Sequence, residues 1–223
     1  MSDISEDSIV IVGAGVSGLR TASLLWAQGV PCVVLDARSV VGGRAATHVS
    51  QAASNAAFDL GPTWFWPDTQ PRISALVREL DLSTFEQYVE RSAWVERFRL
   101  EKAKRYALRD GAAAPARRFK GGVKSLVAAL SSTLPPGTLQ VERQVLSVDR
   151  RQAQVEVLLR AGGARERLHC RSVILALPPR SIASRILLRP SLPDTLRDQF
   201  SRTPTWLGGQ AKAIAIYEAP FLA

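Results

Sequence analysis

Three glycines at residues 13–18, in the sequence GAGVSG, have the spacing of a turn that binds a dinucleotide. The first glycine allows a tight turn, the second lets the backbone approach a pyrophosphate, and the third permits close packing of a helix on a strand. The amides that open the following helix would face the anion. Asp36 comes later as a carboxylate that can accept hydrogen bonds from ribose hydroxyls. We therefore predict a dinucleotide site that contains Gly13, Gly15, Val16, Ser17, Gly18 and Asp36.

A dinucleotide-binding turn of this kind lies between a strand and a helix, and the surrounding sequence predicts both. Residues 8–12 form a short apolar run that is typical of a buried parallel strand. An amphipathic helix should follow and end near Gly29, and a second apolar run, Cys32 to Leu35, leads directly to Asp36. The pattern predicts a β-α-β unit with the glycine turn between its first strand and its helix.

The rest of the chain alternates between helical and strand-like patterns. Residues 37–70 are rich in small residues, which favours loops. Hydrophobic spacing predicts helices at residues 71–82 and 123–130. We expect strands at residues 106–108, 139–141, 145–148, 155–159, 173–177 and 211–217. The fold class predicted is α/β, with a Rossmann-like parallel sheet, helices on its faces, and part of a smaller mixed or antiparallel substrate layer.

A second glycine turn indicates which dinucleotide is bound. The stretch from Asp36, Ala37 and Arg38 to Gly42, Gly43 and Arg44 resembles the sequence after the second strand in the flavin-containing monoamine and polyamine oxidases. The resemblance implies FAD as the cofactor. It also implies that Ala37, Arg38, Gly42, Gly43 and Arg44 belong to the cofactor site.

The resemblance continues along most of the chain. Residues 58–64, FDLGPTW, are similar to a family loop whose backbone lies against the flavin, which implies roles for Gly61, Thr63 and Trp64. The aromatic run 64–66 is too apolar to be left exposed without a partner, and ordinary core packing is the alternative to stacking at a pocket. The strand that carries Val145 resembles the one whose backbone contacts adenine.

One lysine is a candidate catalytic residue. Residues 211–221 resemble the family strand in which a lysine near flavin N5 holds a water used in reoxidation by oxygen, and Lys212 stands at that position. Desolvation there would lower the pKa of the Lys212 amine, which would suit it to proton handling. An edge-strand lysine that points into water is the alternative.

The reaction that the resemblance implies is oxidation of an amine C–N bond. A hydride equivalent would pass to flavin N5, oxygen would accept the electrons, and hydrogen peroxide would be released. Two other interpretations stay open: a related flavoprotein of the desaturase or protoporphyrinogen oxidase-like kind, and a truncated, non-catalytic nucleotide-binding remnant. The resemblance covers the amino-terminal portion of the family only, so we expect this chain to be a fragment, a truncated product or one part of a longer protein.

The resemblance also suggests how the chain is organised. We expect an FAD-binding β-α-β unit with the flavin loop at residues 1–70 and a shortened substrate-side insert at 71–120. Residues 121–200 would return to the FAD-binding domain, and 201–223 would begin a substrate-side sheet.

Composition excludes several other classes of protein. The formal net charge is +9, but the 29 lysines and arginines are scattered, so we expect no nucleic-acid partner. Cys32 and Cys170 are the only cysteines, and we expect buried, reduced thiols and no metal site. The sequence contains no long apolar run and no secretory leader, which predicts a cytoplasmic protein without a membrane partner. The expected partner is a small-molecule amine.

Overall fold

A four-stranded parallel sheet forms the centre of the chain. The computed structural model describes residues 6–51, 56–87, 92–96, 101–107, 115–151, 154–205 and 211–217. The strand order in this sheet is β13-β1-β2-β9, with β1 at Ile9–Val12, β2 at Cys32–Leu35, β9 at Leu139–Gln140 and β13 at Ser172–Leu175. Every neighbouring pair is parallel. The last three residues of β1 and all four residues of β2 are buried because both faces of the sheet are covered.

Three helices cover one face of this sheet. They are α1 at Val16–Ala27, α2 at Pro71–Glu79 and α3 at Lys124–Ser132. Their apolar side chains form one core with Ile11 and Val34 of the sheet, and Leu19 and Leu130 are fully buried in it. Replacing such a leucine with alanine typically costs about 2–5 kcal/mol of stability, so this packing holds the helices in place. The predicted β-α-β unit and both later helices are confirmed.

A second, mixed sheet, antiparallel except for its last pair of strands, covers the opposite face. Its strand order is β12-β11-β10-β14, with β10 at Arg143–Arg151, β11 at Gln154–Ala161, β12 at Ala164–Cys170 and β14 at Leu187–Arg189. Val10 and Val33 of the central sheet pack with Val157 and Leu159 of this layer in a second core. The predicted α/β class, a Rossmann-like parallel sheet with helices, is therefore confirmed. The predicted substrate layer stays a prediction, because this second sheet lies between residues 143 and 189.

Smaller elements complete the part of the chain that the structure describes. Three two-stranded pairs are β3 at Thr47–Ser50 with β4 at Ala56–Asp59, β5 at Thr84–Glu86 with β8 at Arg117–Phe119, and β6 at Ser92–Val95 with β7 at Lys104–Ala107. Two further helices are α4 at Pro179–Arg185 and α5 at Asp194–Arg202. The predicted strand at 106–108 is thus found slightly earlier, and Leu108 lies outside the described residues.

Two sequence-based expectations are wrong. Residues 37–70 are not loops alone, because β3 and β4 pair with each other as an antiparallel hairpin. Residues 211–217 are not a strand, although alanines alternate there with larger side chains. A strand needs a neighbour for its backbone groups. The described residues place no strand beside this segment.

Candidate cofactor site

The first glycine turn connects β1 to α1 as predicted, and its three glycines have different roles. Gly13 has a φ of +109°, and its amide donates to the carbonyl of Leu35 at 2.8 Å. A Cβ at Gly18 would lie 1.9 Å from the carbonyl oxygen of Gly13, so only glycine fits there. A Cβ at Gly15 would meet nothing nearer than the Cα of Gly43 at 3.9 Å. Gly13 and Gly18 therefore shape the turn, whereas Gly15 leaves open space in front of the backbone.

No side chain of α1 competes with a ligand for the backbone amides at the start of this helix. Helix α1 has no capping side chain, and its first turn contains no acidic residue. The first amides of a helix have no intrahelical acceptor, and those of Val16 and Ser17 are among them. Their dipoles favour an anion, which a phosphate would supply.

The second glycine turn lies against the first. The amide of Gly42 donates to the carbonyl of Ala14 at 2.7 Å, and Gly15 and Gly42 form an isolated parallel bridge. Gly42 and Gly43 both have positive φ, at +103° and +63°. A Cβ at Gly43 would lie 3.2 Å from the Cα of Gly15, so the two turns approach as closely as they do because both lack side chains.

Asp36 links the two turns. It is 7% exposed, and its Oδ2 accepts a hydrogen bond from the amide of Ala14 at 2.8 Å. Its Oδ1 accepts the amide of Arg38 at 2.9 Å, and the Arg38 Nε lies 3.5 Å away. The guanidinium of Arg38 also donates to the carbonyl of Gly43 at 3.2 Å. Sequence reasoning assigned Asp36 to ribose alone and missed that its carboxylate holds the first glycine turn.

The remaining predicted residues in this region have different environments. The side chains of Ala37 and Arg44 are exposed. Val145 is 5% exposed and packs in the second core, at an irregularity in the pairing of β10 with β11. The start of β10 nevertheless lies at the end of β2, because the amide of Arg143 donates to the carbonyl of Asp36 at 2.8 Å.

The loop after β4 contacts the lysine that the sequence singled out. The Nζ of Lys212 donates to the carbonyl of Asp59 at 3.0 Å, to the carbonyl of Gly61 at 2.8 Å and to Oγ1 of Thr63 at 2.6 Å. An ammonium group has three N–H donors, and three acceptors surround this one. Lys212 is exposed, so it is not desolvated as predicted, but its amine is bound to the loop rather than left without a protein partner.

The loop after β4 is also joined to the segment that follows the second glycine turn. The amides of Leu60 and Gly61 both donate to the carbonyl of Ala46, at 2.9 and 3.3 Å. A Cβ at Gly61 would lie 1.9 Å from the carbonyl oxygen of Arg44, so glycine is required there. The structure thus brings Gly61, Thr63 and Lys212 together beside the segment that begins at Arg44.

The aromatic run divides between core and surface. Phe65 is buried and packs on Phe119, with 5.4 Å between ring centroids. Trp64 remains 48% exposed and meets Trp66 edge to face at 6.3 Å. Ordinary core packing thus accounts for Phe65, and Trp64 is left as the aromatic surface beside Thr63.

Sequence reasoning did not select Asp59 as a site residue. It is 6% exposed, and its Oδ1 accepts Thr47 Oγ1 at 2.7 Å and the amide of Val123 at 2.8 Å. One sequence signal was available: helix α3 begins after Val123, which cannot cap it, so an acceptor must come from elsewhere in the fold.

The part of the chain that the structure describes gives no support for metal binding, thiol chemistry or a helix that spans a membrane. No group of three or more His, Cys, Asp or Glu side chains could hold a metal there. Cys32 and Cys170 are free and buried, and burial raises the pKa of each thiol to about 11. None of the described helices combines the length and the hydropathy needed to cross a bilayer.

The residues present fit a dinucleotide. Gly15 provides the space that a pyrophosphate needs to reach backbone amides, and the amino terminus of α1 provides the positive dipole. The second turn contacts the first at Gly15, and the exposed Arg44 directly follows the second turn in sequence. The donors here are backbone amides and guanidinium groups, which suit an anionic ligand rather than a metal ion.

Comparison with protein families assigns two parts of the chain. Residues 11–80 match the NAD(P)-binding Rossmann-like domain, and residues 102–223 match the flavin containing amine oxidoreductase family. Putrescine oxidase of Kocuria rosea is 42% identical over 85 residues, which is 38% of this chain and 17% of that protein. The amine oxidase [flavin-containing] B of Homo sapiens is 44% identical over 78 residues, or 35% of this chain and 14% of that protein.

Solved structures show the same fold. Wild-type putrescine oxidase bound to putrescine superposes with a TM-score of 0.71 at 20% identity, covering 87% of this chain and 63% of that one. An A394C mutant of putrescine oxidase gives the same TM-score over 86% of this chain and 62% of that one. The chain therefore spans less than two thirds of these relatives.

The sequence-based recognition and its FAD cofactor agree with these matches. The second family match alone covers more than half of the chain. The glycine turns, their mutual contact and the approach of Lys212 to the loop after β4 all lie within the matched regions. This chain belongs to the flavin containing amine oxidoreductase family.

Proposed function

We propose that this chain binds FAD at its paired glycine turns and forms the cofactor-binding part of an enzyme that oxidises a small amine. The observation that carries the proposal is the arrangement of Gly15, Gly42 and Gly43. These glycines bring two backbone turns into contact and leave space at the start of α1. The pyrophosphate of FAD is the group that this space and these amides suit.

Each residue of the site has a proposed role. The amides of Gly15, Val16, Ser17 and Gly18 bind the pyrophosphate, and Gly13 sets the turn. Asp36 holds this turn through Ala14 and keeps acceptor capacity for a ribose hydroxyl. Arg38, Gly42, Gly43 and Arg44 line the second turn beside the cofactor. Ala37 and the backbone at Val145 lie where the adenosine end would rest.

The loop after β4 is proposed to lie against the flavin ring. Gly61 has no room for a side chain, so its backbone is held close to the second turn. Thr63 and Trp64 follow it, and Trp64 offers an exposed aromatic surface. When bound, FAD would supply the redox chemistry, as the acceptor of a hydride equivalent from the substrate and the donor of electrons to oxygen, with hydrogen peroxide as the product.

Lys212 is proposed as the catalytic residue of this chain. Its amine is held at the flavin loop by three acceptors, so its position is defined to within a hydrogen-bond length. A lysine held there can donate or accept a proton at Nζ when one of these bonds is exchanged for a water. The amine substrate loses a hydride equivalent and a proton to become an imine, which water then hydrolyses.

The strand pairing supports a division of the chain into four segments. Strands β9 and β13 add to the sheet that contains β1 and β2, which supports assigning residues 121–200 to the same FAD-binding domain as residues 1–70. We propose residues 71–120 as the substrate-side insert and residues 201–223 as the start of the substrate-side sheet. Lys212 connects this last segment to the cofactor domain.

The experiment is to purify the chain, add FAD, remove the excess, and record the visible absorption spectrum. We expect the bands of oxidised flavin to stay with the protein. Anaerobic addition of a panel of amines should then bleach these bands. Bleaching by substrates of C–C desaturation instead would favour a desaturase-like flavoprotein, and no retained flavin would contradict the proposal.

A matched pair of lysine variants tests the catalytic residue. Lys212→Met should slow reoxidation of the bleached flavin by air, whereas Lys104→Met, at an exposed lysine of β7, should leave it unchanged. Reoxidation of Lys212→Met at the parent rate would remove Lys212 from the mechanism. The two variants lose the same charge, so a general effect of charge cannot produce a difference between them.

A further inference from the structure

Asp59 joins two parts of the chain that are far apart in sequence. It ends β4, is 6% exposed, and accepts two hydrogen bonds at Oδ1. Thr47 Oγ1 donates one at 2.7 Å from the neighbouring strand, and the amide of Val123 donates the other at 2.8 Å from 64 residues away. The carboxylate therefore fastens the β3–β4 hairpin to the start of α3.

This contact replaces a helix cap that α3 lacks. The residue before α3 is Val123, which has no side-chain acceptor, so the first amides of the helix need partners from elsewhere. Asp59 accepts the amide of Val123, and Thr47 Oγ1 accepts the amide of Lys124 at 3.1 Å. A Cβ at Gly122 would lie 2.7 Å from Oδ1 of Asp59, so a glycine there makes the approach possible.

The backbone of Asp59 faces a different partner. Its carbonyl oxygen accepts Lys212 Nζ at 3.0 Å. The other two acceptors, Gly61 O and Thr63 Oγ1, follow within the next four residues of the same loop. The side chain of Asp59 is thus fixed to α3 while its backbone begins the set of acceptors around Lys212.

We propose that Asp59 is a positioning residue for Lys212: its anchored carboxylate sets the loop 59–63 so that three acceptors converge on the amine. Hydrogen bonds to nitrogen weaken steeply beyond about 3.2–3.5 Å, so a loop displacement of about 1 Å breaks at least one of them. Asp59 acts only through this loop and need not touch cofactor or substrate. Its importance for catalysis rests on the proposed function, but the geometry exists without cofactor.

The test measures how fast the Lys212 amine is acetylated in the protein without cofactor. The chain has only five lysines, so mass spectrometry of peptides resolves each one. The exposed Lys104 serves as the internal reference. We expect Asp59→Ala to raise the rate at Lys212 relative to Lys104 by about fivefold or more, because the amine loses ordered acceptors.

Rescue by the conservative variant separates positioning from general stability. Asp59→Asn keeps a side-chain oxygen that can accept from Val123, so its rate at Lys212 should stay within about twofold of the parent. Thr47→Ala removes a cap of α3 but keeps the bond between Asp59 and Val123, and should behave like Asp59→Asn. If Asp59→Ala does not fold, Asp59→Ser gives the same comparison, since its shorter side chain cannot reach Val123.

Two results would overturn the proposal. One is an unchanged Lys212 rate in Asp59→Ala or Asp59→Ser; the other is an equal rise in Asp59→Ala and Thr47→Ala. Binding of FAD is measured separately on the same proteins. If the parent retains no flavin but the Lys212 rate still rises in Asp59→Ala, the proposed function is contradicted and the positioning role of Asp59 is supported.

Discussion

The carboxylate of Asp36 accepts a hydrogen bond of 2.8 Å from the backbone amide of Ala14, inside the first glycine turn. Asp36 also accepts the amide of Arg38, and Arg38 donates to Gly43 of the second turn. One buried acid therefore sets the relative position of the two turns before any ligand binds. A preformed site of this kind avoids part of the ordering cost that a flexible loop would incur on binding.

We expect Asp36→Asn to destabilise the protein even without cofactor. The amide group of asparagine can accept at only one of its two ends, so the backbone N–H of either Ala14 or Arg38 loses its acceptor. Leaving such a group unsatisfied costs about 1–3 kcal/mol. Urea unfolding of the protein without cofactor measures the loss, with the exposed Asp68→Asn as the control. Equal stability of the two variants would argue that Asp36 serves the ribose alone.

Gly61→Ala should be more damaging than Gly162→Ala. A Cβ at Gly61 would lie 1.9 Å from the carbonyl of Arg44, so the loop or the second turn must move. Overpacking of this kind costs about 1–3 kcal/mol and sometimes more. Gly162 has no atom within 4 Å of a Cβ, so alanine there meets only the strain of its φ of +54°, about 1–2 kcal/mol. Thermal melting of both variants tests the difference.

The ion pair between Arg20 and Glu79 should make stability depend on pH in the acid range. Two hydrogen bonds of 2.7 Å join α1 to α2, and the bond from Arg20 lowers the pKa of Glu79 below its ordinary value. A lowered folded pKa gives stability that is present above the unfolded pKa and lost as pH falls through the folded pKa. Glu79→Gln should therefore be less stable than the parent at about pH 7, and this difference should vanish in strong acid. Urea titrations at both pH values measure it.

The two thiols should be unreactive in the folded protein. Burial raises the pKa of Cys32 and Cys170 to about 11 from an ordinary 9.0, and only the thiolate reacts with alkylating agents. Stability from this shift is complete below the unfolded pKa and is lost as pH rises toward the folded value. A thiol reagent at about pH 8 should label neither cysteine until denaturant is added. Labelling of the native protein would contradict the burial.

The parts of the fold that could be predicted are those in which local pattern and tertiary contacts agree. The apolar runs around residues 13–18 and the glycine spacing require the β-α-β unit, and α1 begins and ends where the glycines indicate. The parts that could not be predicted depend on distant neighbours. Residues 164–170 have the polar sequence ARERLHC but form β12, because β11 supplies its partner.

In the site, too, the features encoded by a local pattern could be predicted and those that depend on distant residues could not. The glycines are recognisable because their conformation is a local requirement. The bonds of Asp36 to Ala14 and of Asp59 to Val123 span 22 and 64 residues, and no local pattern encodes them. For residues 211–217 a local pattern was misleading. The alternation of small and large side chains favours a strand, but the segment is not one, and the side chain of Lys212 binds it to the loop after β4.

The most direct test of FAD binding at the paired turns compares the parent with Gly15→Ala by calorimetric titration with FAD. A methyl group at Gly15 meets no atom closer than 3.9 Å and the φ there is −75°, so the variant should fold as stably as the parent. It should nevertheless bind FAD at least about tenfold more weakly, because it fills the space that the pyrophosphate needs. The exposed Ala164→Val serves as the control. Equal affinity of parent and Gly15→Ala for FAD would contradict this assignment of the site.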